Sequence, residues 1–195
     1  LTGGEPLLFP GFKELYIKLQ NMGMILTINT NGTLIDEEFC KEVQKLGNLS
    51  FSLSLEGFEE ANDGRRGQGI FQKVLGAMDL MKRYGLFFGT SVCYTRKNMD
   101  AVTSDEFFDL LIEHGCRYSW YFHFMPVGMD AAPELMPTVE QRKYIYHRLR
   151  EIRSDKSDKQ IFVMDFQNDG EFVGGCIAGG RNYCHINANG DVEPC

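Results

Sequence analysis

The sequence predicts an α/β fold built as a partial (β/α) barrel, and three observations support that prediction. Candidate strands and helices alternate along the chain with short connections, which is typical of parallel β/α units. No candidate strand leads into a Gly-x-Gly-x-x-Gly turn, so a dinucleotide-binding sheet has no support. Glycines and polar residues instead gather at the ends of the candidate strands, where a barrel binds its ligands.

The periodicity of apolar residues defines the individual elements. Helical spacing and capping residues indicate helices over residues 11–22, 35–47, 70–84, 104–115 and 139–153. Short apolar or alternating runs indicate strands over residues 24–30, 49–55, 86–94, 117–125 and 160–166. The polar, glycine-rich stretch 56–69 is predicted to be a loop.

The strand "LSFSLSL" alternates strictly, so Ser50, Ser52 and Ser54 share one face and the apolar residues share the other. The apolar face is expected to pack under helices, which turns the serines toward the barrel interior. A solid barrel core favours branched aliphatic residues at such positions, so a polar interior indicates a bound ligand. A serine row that bonds only to backbone or water remains the structural alternative.

Composition and charge exclude several classes of protein. The 195-residue chain is 43% hydrophobic and 24% charged, so it can bury a core and is not disordered. Its formal net charge of -7 argues against a nucleic-acid or anionic-membrane partner. The longest apolar runs are far too short to span a membrane, and we expect a cytoplasmic protein.

The six cysteines fall into two groups. Cys40, Cys93 and Cys116 are isolated in apolar surroundings, which predicts small buried hydrophobic residues. Cys176, Cys184 and Cys195 instead crowd the end of the chain, around a hairpin signal at Asn189-Gly190. Such clustering indicates metal or iron–sulfur ligation, while a structural zinc site or a disulfide stays open as an alternative.

Motifs at both ends carry a family resemblance. Gly3-Gly4-Glu5-Pro6 is followed by "TNGTLID" at 30–36, "SLEG" at 54–57 and "NDGRRGQGIFQKVL". Thirteen residues then separate Cys176 from Gly190, and four more lead to Cys195. In these features the chain resembles radical S-adenosylmethionine (SAM) enzymes of the SPASM/twitch class, which modify peptides and proteins and include the anaerobic sulfatase maturases.

The resemblance implies an organisation and a set of cofactor-binding residues. Residues 1–155 are expected to form a partial radical SAM barrel whose first β/α unit is missing, and residues 156–195 a linker and the beginning of a SPASM/twitch domain. By resemblance, Glu5 accepts the ammonium of SAM and Gly3 and Gly4 allow its close approach. The same resemblance assigns ribose, carboxylate or adenine contacts to further residues: Asn31, Ser54, Arg66, Met125 and Pro126.

The resemblance also implies metal cofactors. Cys176 and Cys195, with Cys184 as a third thiol, are expected to ligate an auxiliary [4Fe–4S] cluster. The Cys-x-x-x-Cys-x-x-Cys motif that binds the family's catalytic [4Fe–4S] cluster is not in these 195 residues, so its ligands are expected outside this chain. A second departure is Glu56, where relatives commonly have Asp.

The resemblance predicts an oxidoreductase in which a 5′-deoxyadenosyl radical abstracts hydrogen from a peptide or protein. Flavodoxin or ferredoxin would donate the electron, and the fragment alone is expected to be inactive. The catalytic base stays unknown. Two other classes remain open: a non-catalytic zinc or iron–sulfur scaffold, and an ordinary β/α-barrel enzyme. The second would need a Schiff-base lysine or a phosphate-binding glycine loop at a strand end, and neither is apparent.

Overall fold

A five-stranded parallel sheet forms the centre of the protein in a computed structural model, which describes residues 1–129, 131–176, 181 and 183–194. The strands lie side by side in chain order. They are β1 Leu26–Thr30, β2 Leu49–Ser54, β3 Phe88–Tyr94, β4 Tyr118–His123 and β5 Phe162–Asp165. This arrangement confirms the predicted α/β class and the partial barrel.

Helices connect the strands and cover one face of the sheet. They are α1 Phe12–Asn21, α2 Glu37–Val43, α3 Glu59–Arg66, α4 Ile70–Arg83, α5 Met99–Val102, α6 Asp105–Glu113 and α7 Val139–Ile152. Three short 3₁₀ helices lie at Pro6–Leu8, Pro133–Leu135 and Asp169–Val173. Every predicted helix and strand is present, with ends shifted by a few residues.

The prediction of a loop over residues 56–69 was wrong, because α3 occupies most of that stretch. Its sequence has no apolar stripe, so hydrophobic periodicity could not reveal it. The helix is favoured instead by charge: Glu59 and Glu60 lie in its first turn, and Arg65 and Arg66 in its last, which complements the helix dipole. Helix α5 escaped prediction because it is a single turn.

The two faces of the sheet differ in chemistry. Parallel register places alternate residues of neighbouring strands on the same face. On the helix-covered face, Ile28, Phe51 and Leu53 are fully buried in the core. The opposite face lines the barrel interior and carries two sets of side chains. β1–β3 contribute Thr27, Asn29, Ser50, Ser52, Ser54, Ser91 and Cys93, whereas β4 contributes Tyr118, Trp120 and Phe122.

Leu1 occupies a strand position beside β1. Its amino group donates to the carbonyl of Thr27 (2.6 Å), and its carbonyl accepts from the amide of Asn29 (2.9 Å). This is the hydrogen-bond pattern of a parallel ladder. Gly3, Gly4 and Glu5 therefore lie just past a strand position, at the same edge as the carboxyl ends of β1 and β2.

The sheet continues beyond the predicted barrel boundary at residue 155. β5 pairs with β4 from Tyr118↔Phe162 to Tyr121↔Asp165, so residues 162–165 belong to the main sheet rather than to a linker. The physical reason is burial, since Val163 is fully buried in the same core as the side chains of α7.

The tail forms the predicted hairpin with a longer loop than expected. Strands β6 His185–Ile186 and β7 Val192–Glu193 pair antiparallel. Five residues connect them rather than the two of the Asn189-Gly190 turn. The Asn187 side chain explains the extra length, because its Oδ1 accepts from the amides of Asn189 and Asp191, both at 3.0 Å.

The isolated cysteines behave only partly as predicted. Cys40 and Cys116 are buried, and burial raises their pKa values to about 11 and about 12. Cys93 is only half-buried and lies on the interior face of β3, so its prediction as a buried hydrophobic residue was wrong.

Within the described ranges, no helix combines the length and apolar character needed to cross a bilayer.

Candidate functional site

Polar groups gather at the carboxyl edge of the sheet, where the chain leaves β1 and β2. Glu5 is central to this edge. Its Oε1 accepts from Thr30 Oγ1 (2.7 Å) and from the amide of Leu7 (3.1 Å), and its Oε2 accepts from the amide of Asn31 (2.7 Å). Glu5 thus has a structural role that the sequence did not predict, because it fixes its own segment to the end of β1.

Gly3 and Gly4 adopt backbone conformations that favour glycine. Their φ angles are +93° and +51°, in the left-handed region. A Cβ built on either residue would meet no atom within 4 Å, so open space borders this backbone. Both features fit a turn beside which a small ligand can lie against the main chain.

The carboxylate of Glu56, just past β2, is the most deeply buried charge at this edge. Only 1% of its side chain is exposed. Arg66 contacts both of its oxygens, with Nε donating to Oε2 at 3.0 Å and Nη2 donating to Oε1 at 2.5 Å. Arg65 Nε lies 3.4 Å from Oε2. The guanidinium of Arg66 is therefore already committed to a buried ion pair.

The backbone of Glu56 is held equally firmly. Asn62 Oδ1 accepts from its amide (3.2 Å), and Asn98 Nδ2 donates to its carbonyl (3.0 Å). Asn98 Nδ2 also lies 3.2 Å from the carbonyl of Cys93. The two asparagines connect the end of β2 to α3 and to the loop after β3.

A cavity of about 300 Å³ opens beside these groups. Its lining residues are Asn31, Thr33, Arg65, Arg66 and Ile70. The Asn31 side chain is turned into its own loop, because Oδ1 accepts from the Thr33 amide (2.9 Å) and hydroxyl (2.7 Å). Arg65, whose side chain is 44% exposed, is the more accessible of the two arginines.

The remaining predicted SAM residues lie along the same edge at different depths. Ser54 is half-buried on the interior face, in register with Ser91 of β3. Met125 and Pro126 follow β4 in a tight turn, where the Val127 amide donates to the Met125 carbonyl (2.9 Å), and Met125 is 58% exposed. The structure therefore brings Glu5, Asn31 and Arg66 close together, and places Ser54 and the Met125–Pro126 segment at the ends of neighbouring strands.

The predicted metal ligands lie in the tail that follows β5. Cys176 and Cys184 are exposed free thiols, and Cys195 lies outside the described residues. No group of three or more His, Cys, Asp or Glu side chains arranged to hold a metal occurs in the part of the chain that the structure describes. The described residues thus supply two of the three predicted thiols.

Sequence reasoning missed several residues of this edge. Arg65, Asn62 and Asn98 were not predicted, and Glu56 was noted only as a departure from a motif. The adjacent arginines in "NDGRRG" were a usable signal, because two neighbouring cations can take different partners. Nothing in the sequence pairs Asn98 with Glu56, which is 42 residues away.

The interior face of β4 and β5 is aromatic. Trp120, Phe122 and Phe166 contact one another with ring centroids 4.9–5.8 Å apart. A cavity of about 750 Å³ extends from this wall to the amino-terminal ends of the strands, where Arg117 lines it. The barrel interior is therefore polar on one side and aromatic on the other.

The chain matches the family model of the radical SAM superfamily over residues 1–111. Fe-coproporphyrin III synthase of Methanosarcina barkeri is 28% identical over 178 residues, covering 88% of this chain and 44% of that protein. Mycofactocin maturase MftC of Mycolicibacterium smegmatis is 30% identical over 204 residues, covering all of this chain and 51% of MftC.

Solved structures show the same fold. SuiB of Streptococcus suis with bound S-adenosylmethionine superposes with a TM-score of 0.78 at 18% identity, over 99% of this chain and 48% of SuiB. SuiB with its precursor peptide SuiA superposes with a TM-score of 0.68 at 15% identity, over 99% and 47%. This chain spans about half the length of the curated relatives described above. With more than half of its residues matched by the family model, the chain belongs to the radical SAM superfamily.

Proposed function

We propose that the carboxyl edge described above binds SAM and that the full-length protein is a radical SAM enzyme. When bound, SAM and a reduced [4Fe–4S] cluster supply a 5′-deoxyadenosyl radical for hydrogen abstraction. The observation that carries the proposal is a pair of opposite charges on either side of Asn31. Glu5 accepts from the Asn31 amide, and Arg65 lines the cavity that Asn31 also lines.

This pair of charges complements the α-amino-acid part of SAM. An ammonium group needs anionic or carbonyl acceptors, which Glu5 and the open backbone of Gly3 and Gly4 can provide. A carboxylate needs a guanidinium or comparable donors. The half-buried Ser54 hydroxyl and the main chain at Met125 and Pro126 are assigned to the ribose and adenine. Membership of the superfamily argues against an ordinary β/α-barrel enzyme.

The ion pairs around Glu56 support a different assignment of the cation that binds the carboxylate of SAM. Arg66 makes a bidentate ion pair with the buried Glu56, so moving it toward a ligand would leave a buried carboxylate without its main partner. Arg65 is more exposed and makes a single, longer approach to Glu56. We assign the carboxylate of SAM to Arg65 and a positioning role to Arg66.

Replacing Glu5→Gln is expected to weaken SAM binding by roughly 10- to 100-fold, because a charge-assisted hydrogen bond contributes about 1.5–3 kcal/mol. The glutamine keeps one acceptor oxygen, so it retains either the bond from Asn31 or those from Thr30 and Leu7 but not both, and some local stability is expected to be lost as well. The measurement is isothermal titration of anaerobic full-length protein with SAM. As the matched control, Thr30→Val removes one structural hydrogen bond of Glu5 but keeps the charge, and should retain SAM affinity. Equal affinities of Glu5→Gln and wild type would contradict the assignment.

Alanine substitution of the two neighbouring arginines should affect different properties, stability for Arg66 and SAM affinity for Arg65. Arg66→Ala is expected to lower the free energy of unfolding by about 2–3 kcal/mol, since it removes a bidentate partner from a buried carboxylate. Arg65→Ala should cost less than about 1 kcal/mol because its contact is longer and more exposed. It should nevertheless reduce SAM affinity. Urea denaturation and SAM titration of both variants test this, and the reverse pattern would return the ligand role to Arg66.

We further propose that Cys176 and Cys195, with Cys184, ligate an auxiliary iron–sulfur cluster at the start of a SPASM/twitch domain. The support is the exposed position of the two described thiols and the hairpin between Cys184 and Cys195. A non-catalytic zinc or iron–sulfur scaffold remains the competing reading of the same thiols.

Iron and zinc analysis of anaerobically purified full-length protein tests the auxiliary cluster and separates it from a zinc site. Cys176→Ala and Cys195→Ala are each expected to reduce the iron content to that of one catalytic cluster, because loss of a ligand uncouples metal binding from folding of the tail. Cys40→Ala is the control, since this buried thiol has no route to a cluster. Full iron in both tail variants, or zinc in place of iron, would refute the auxiliary cluster.

The substrate is proposed to be a peptide or protein, with flavodoxin or ferredoxin as electron donor. The maturase name of MftC and the peptide-bound structure of SuiB support a peptide. The aromatic wall formed by Trp120, Phe122 and Phe166 favours a substrate that presents an apolar or aromatic group. That same wall supports a second candidate, a planar tetrapyrrole, given the similarity to Fe-coproporphyrin III synthase.

Titration with iron coproporphyrin III separates the two substrate classes. For a peptide enzyme, we expect no saturable change in the visible spectrum of the porphyrin at micromolar concentrations of full-length protein. Saturable binding that is lost in Trp120→Ala would instead favour the tetrapyrrole, since stacking on an aromatic ring contributes about 0.5–1.5 kcal/mol beyond area burial. The surface variant Tyr144→Ala is the control for nonspecific porphyrin adsorption.

A further inference from the structure

Three titratable side chains lie on the helix-covered face of the sheet, opposite the barrel interior. Tyr94, His123 and Asp165 stand at the carboxyl ends of β3, β4 and β5. Tyr94 is in register with His123, and their ring centroids lie 6.3 Å apart. Asp165 is in register with Tyr121, two residues before His123. Tyr94 and Asp165 are fully buried, and His123 is half-buried.

Each of the three side chains has a buried polar atom without a protein partner. Across the described ranges, no protein group hydrogen-bonds to Tyr94 Oη, His123 Nδ1 or Asp165 Oδ1. The other carboxylate oxygen of Asp165 does have a partner, since it accepts from Asn168 Nδ2 at 2.7 Å. Burial has the largest effect on the pKa of Tyr94 and of His123, and Asp165 is close enough to both side chains for its charge to act on each pKa in the upward direction. Unsatisfied buried groups are costly, so three that lie near one another call for a shared partner.

The hydrogen-bonding capacities of the three atoms fit a water molecule. Burial raises the pKa of Tyr94, and burial together with Arg142 lowers the pKa of His123, so the phenol stays protonated and the imidazole neutral at pH 7. A water can accept from Tyr94 Oη and donate to His123 Nδ1 and Asp165 Oδ1. Buried waters typically make about three such bonds. A metal ion fits less well, because the described residues contain no cluster of three His, Cys, Asp or Glu ligands.

We propose that one buried water molecule links Tyr94 Oη, His123 Nδ1 and Asp165 Oδ1, and that this bridge fixes the turn that leads from β5 toward Cys176. Asp165 is the first residue of a chain of contacts along that turn. Its amide donates to Asp169 Oδ2 (2.8 Å), and Asp169 in turn accepts from Arg153 at 2.7 and 3.0 Å. A displaced Asp165 would loosen this whole segment.

The bridge joins three strands through side chains, in addition to the backbone ladder. Among the strands that the structure describes, β5 lies at the edge of the sheet and has a backbone partner on one side only. Edge strands open more readily than central ones. A water that ties Asp165 to Tyr94, two strands away, therefore acts where the sheet most needs support.

The variant Tyr94→Phe tests the bridge, because a bonded hydroxyl and an unsatisfied hydroxyl predict different changes in amide hydrogen exchange. If the hydroxyl bonds to the proposed water, its removal should speed amide hydrogen exchange of residues 161–176 in full-length protein by about fivefold or more, because about 1 kcal/mol of local stability is lost. If the hydroxyl is simply unsatisfied, its removal should leave that exchange unchanged or slow it. The second result would overturn the proposal.

Tyr121→Phe is the matched control. Tyr121 is an equally buried tyrosine on the same face, but its Oη donates to the carbonyl of Val102 at 2.6 Å. Its loss should speed exchange around α5 rather than in residues 161–176. Combining Tyr94→Phe with Asp165→Asn should add less than the product of the single effects, since both act on one water. If the double variant speeds exchange by the full product of the two single effects, Tyr94 and Asp165 do not share a water.

A crystal structure of the full-length protein provides a test that needs no variant. Electron density for one solvent molecule is expected within hydrogen-bond distance, about 2.7–3.2 Å, of all three atoms. Direct protein partners for these atoms, or no solvent density between them, would overturn the proposal even if the variants failed to fold.

Discussion

The structure depends on one constraint: in β1 and β2, only one of the two faces of each strand is apolar enough to pack under helices. Ile28, Phe51 and Leu53 face the helices and are fully buried. Their neighbours Thr27, Ser50 and Ser52 must then face the interior, because a one-residue slip would exchange the two faces. The helices hold the strands, and the interior face is left to carry polar and aromatic groups that the hydrophobic core does not need. The chemistry of the site is a consequence of this division.

The carboxyl edge is organised by a second constraint: a buried carboxylate needs a cationic partner. Glu56 meets it with Arg66, and the backbone of Glu56 is held by Asn62 and Asn98. The result is a rigid support that joins β2, α3 and the loop after β3. Arg65 is left more accessible next to Asn31, opposite the carboxylate of Glu5. Two adjacent arginines of similar appearance in the sequence thus have different environments: Arg66 makes a bidentate ion pair with Glu56, and Arg65 is more exposed.

Local pattern was enough to predict the sheet and its main helices. Residues 49–55 alternate without exception, and the capping residues Asp36 and Ser104 begin α2 and α6 as expected. Helix α3 could not be predicted, because dipole and ion-pair effects stabilise it rather than an apolar stripe. The site was predictable only where a motif marks it, as at Gly3–Glu5. The pairing of Arg66 with Glu56 depends on how α3 packs against the end of β2. Local sequence patterns carry no information on that packing. The hairpin loop was misjudged because a side chain, that of Asn187, sets its length.

The burial of Cys40 and Cys116 has a consequence for thiol chemistry. A thiol reacts with alkylating agents and peroxide as its thiolate, and a pKa of about 11 or 12 leaves almost none of that form at neutral pH. Both sulfurs are also shielded from solvent. Cys176 and Cys184 are exposed. Mild alkylation should therefore modify Cys176 and Cys184 before Cys40 and Cys116, and oxidative damage in air should reach these two exposed thiols of the tail before the two buried ones.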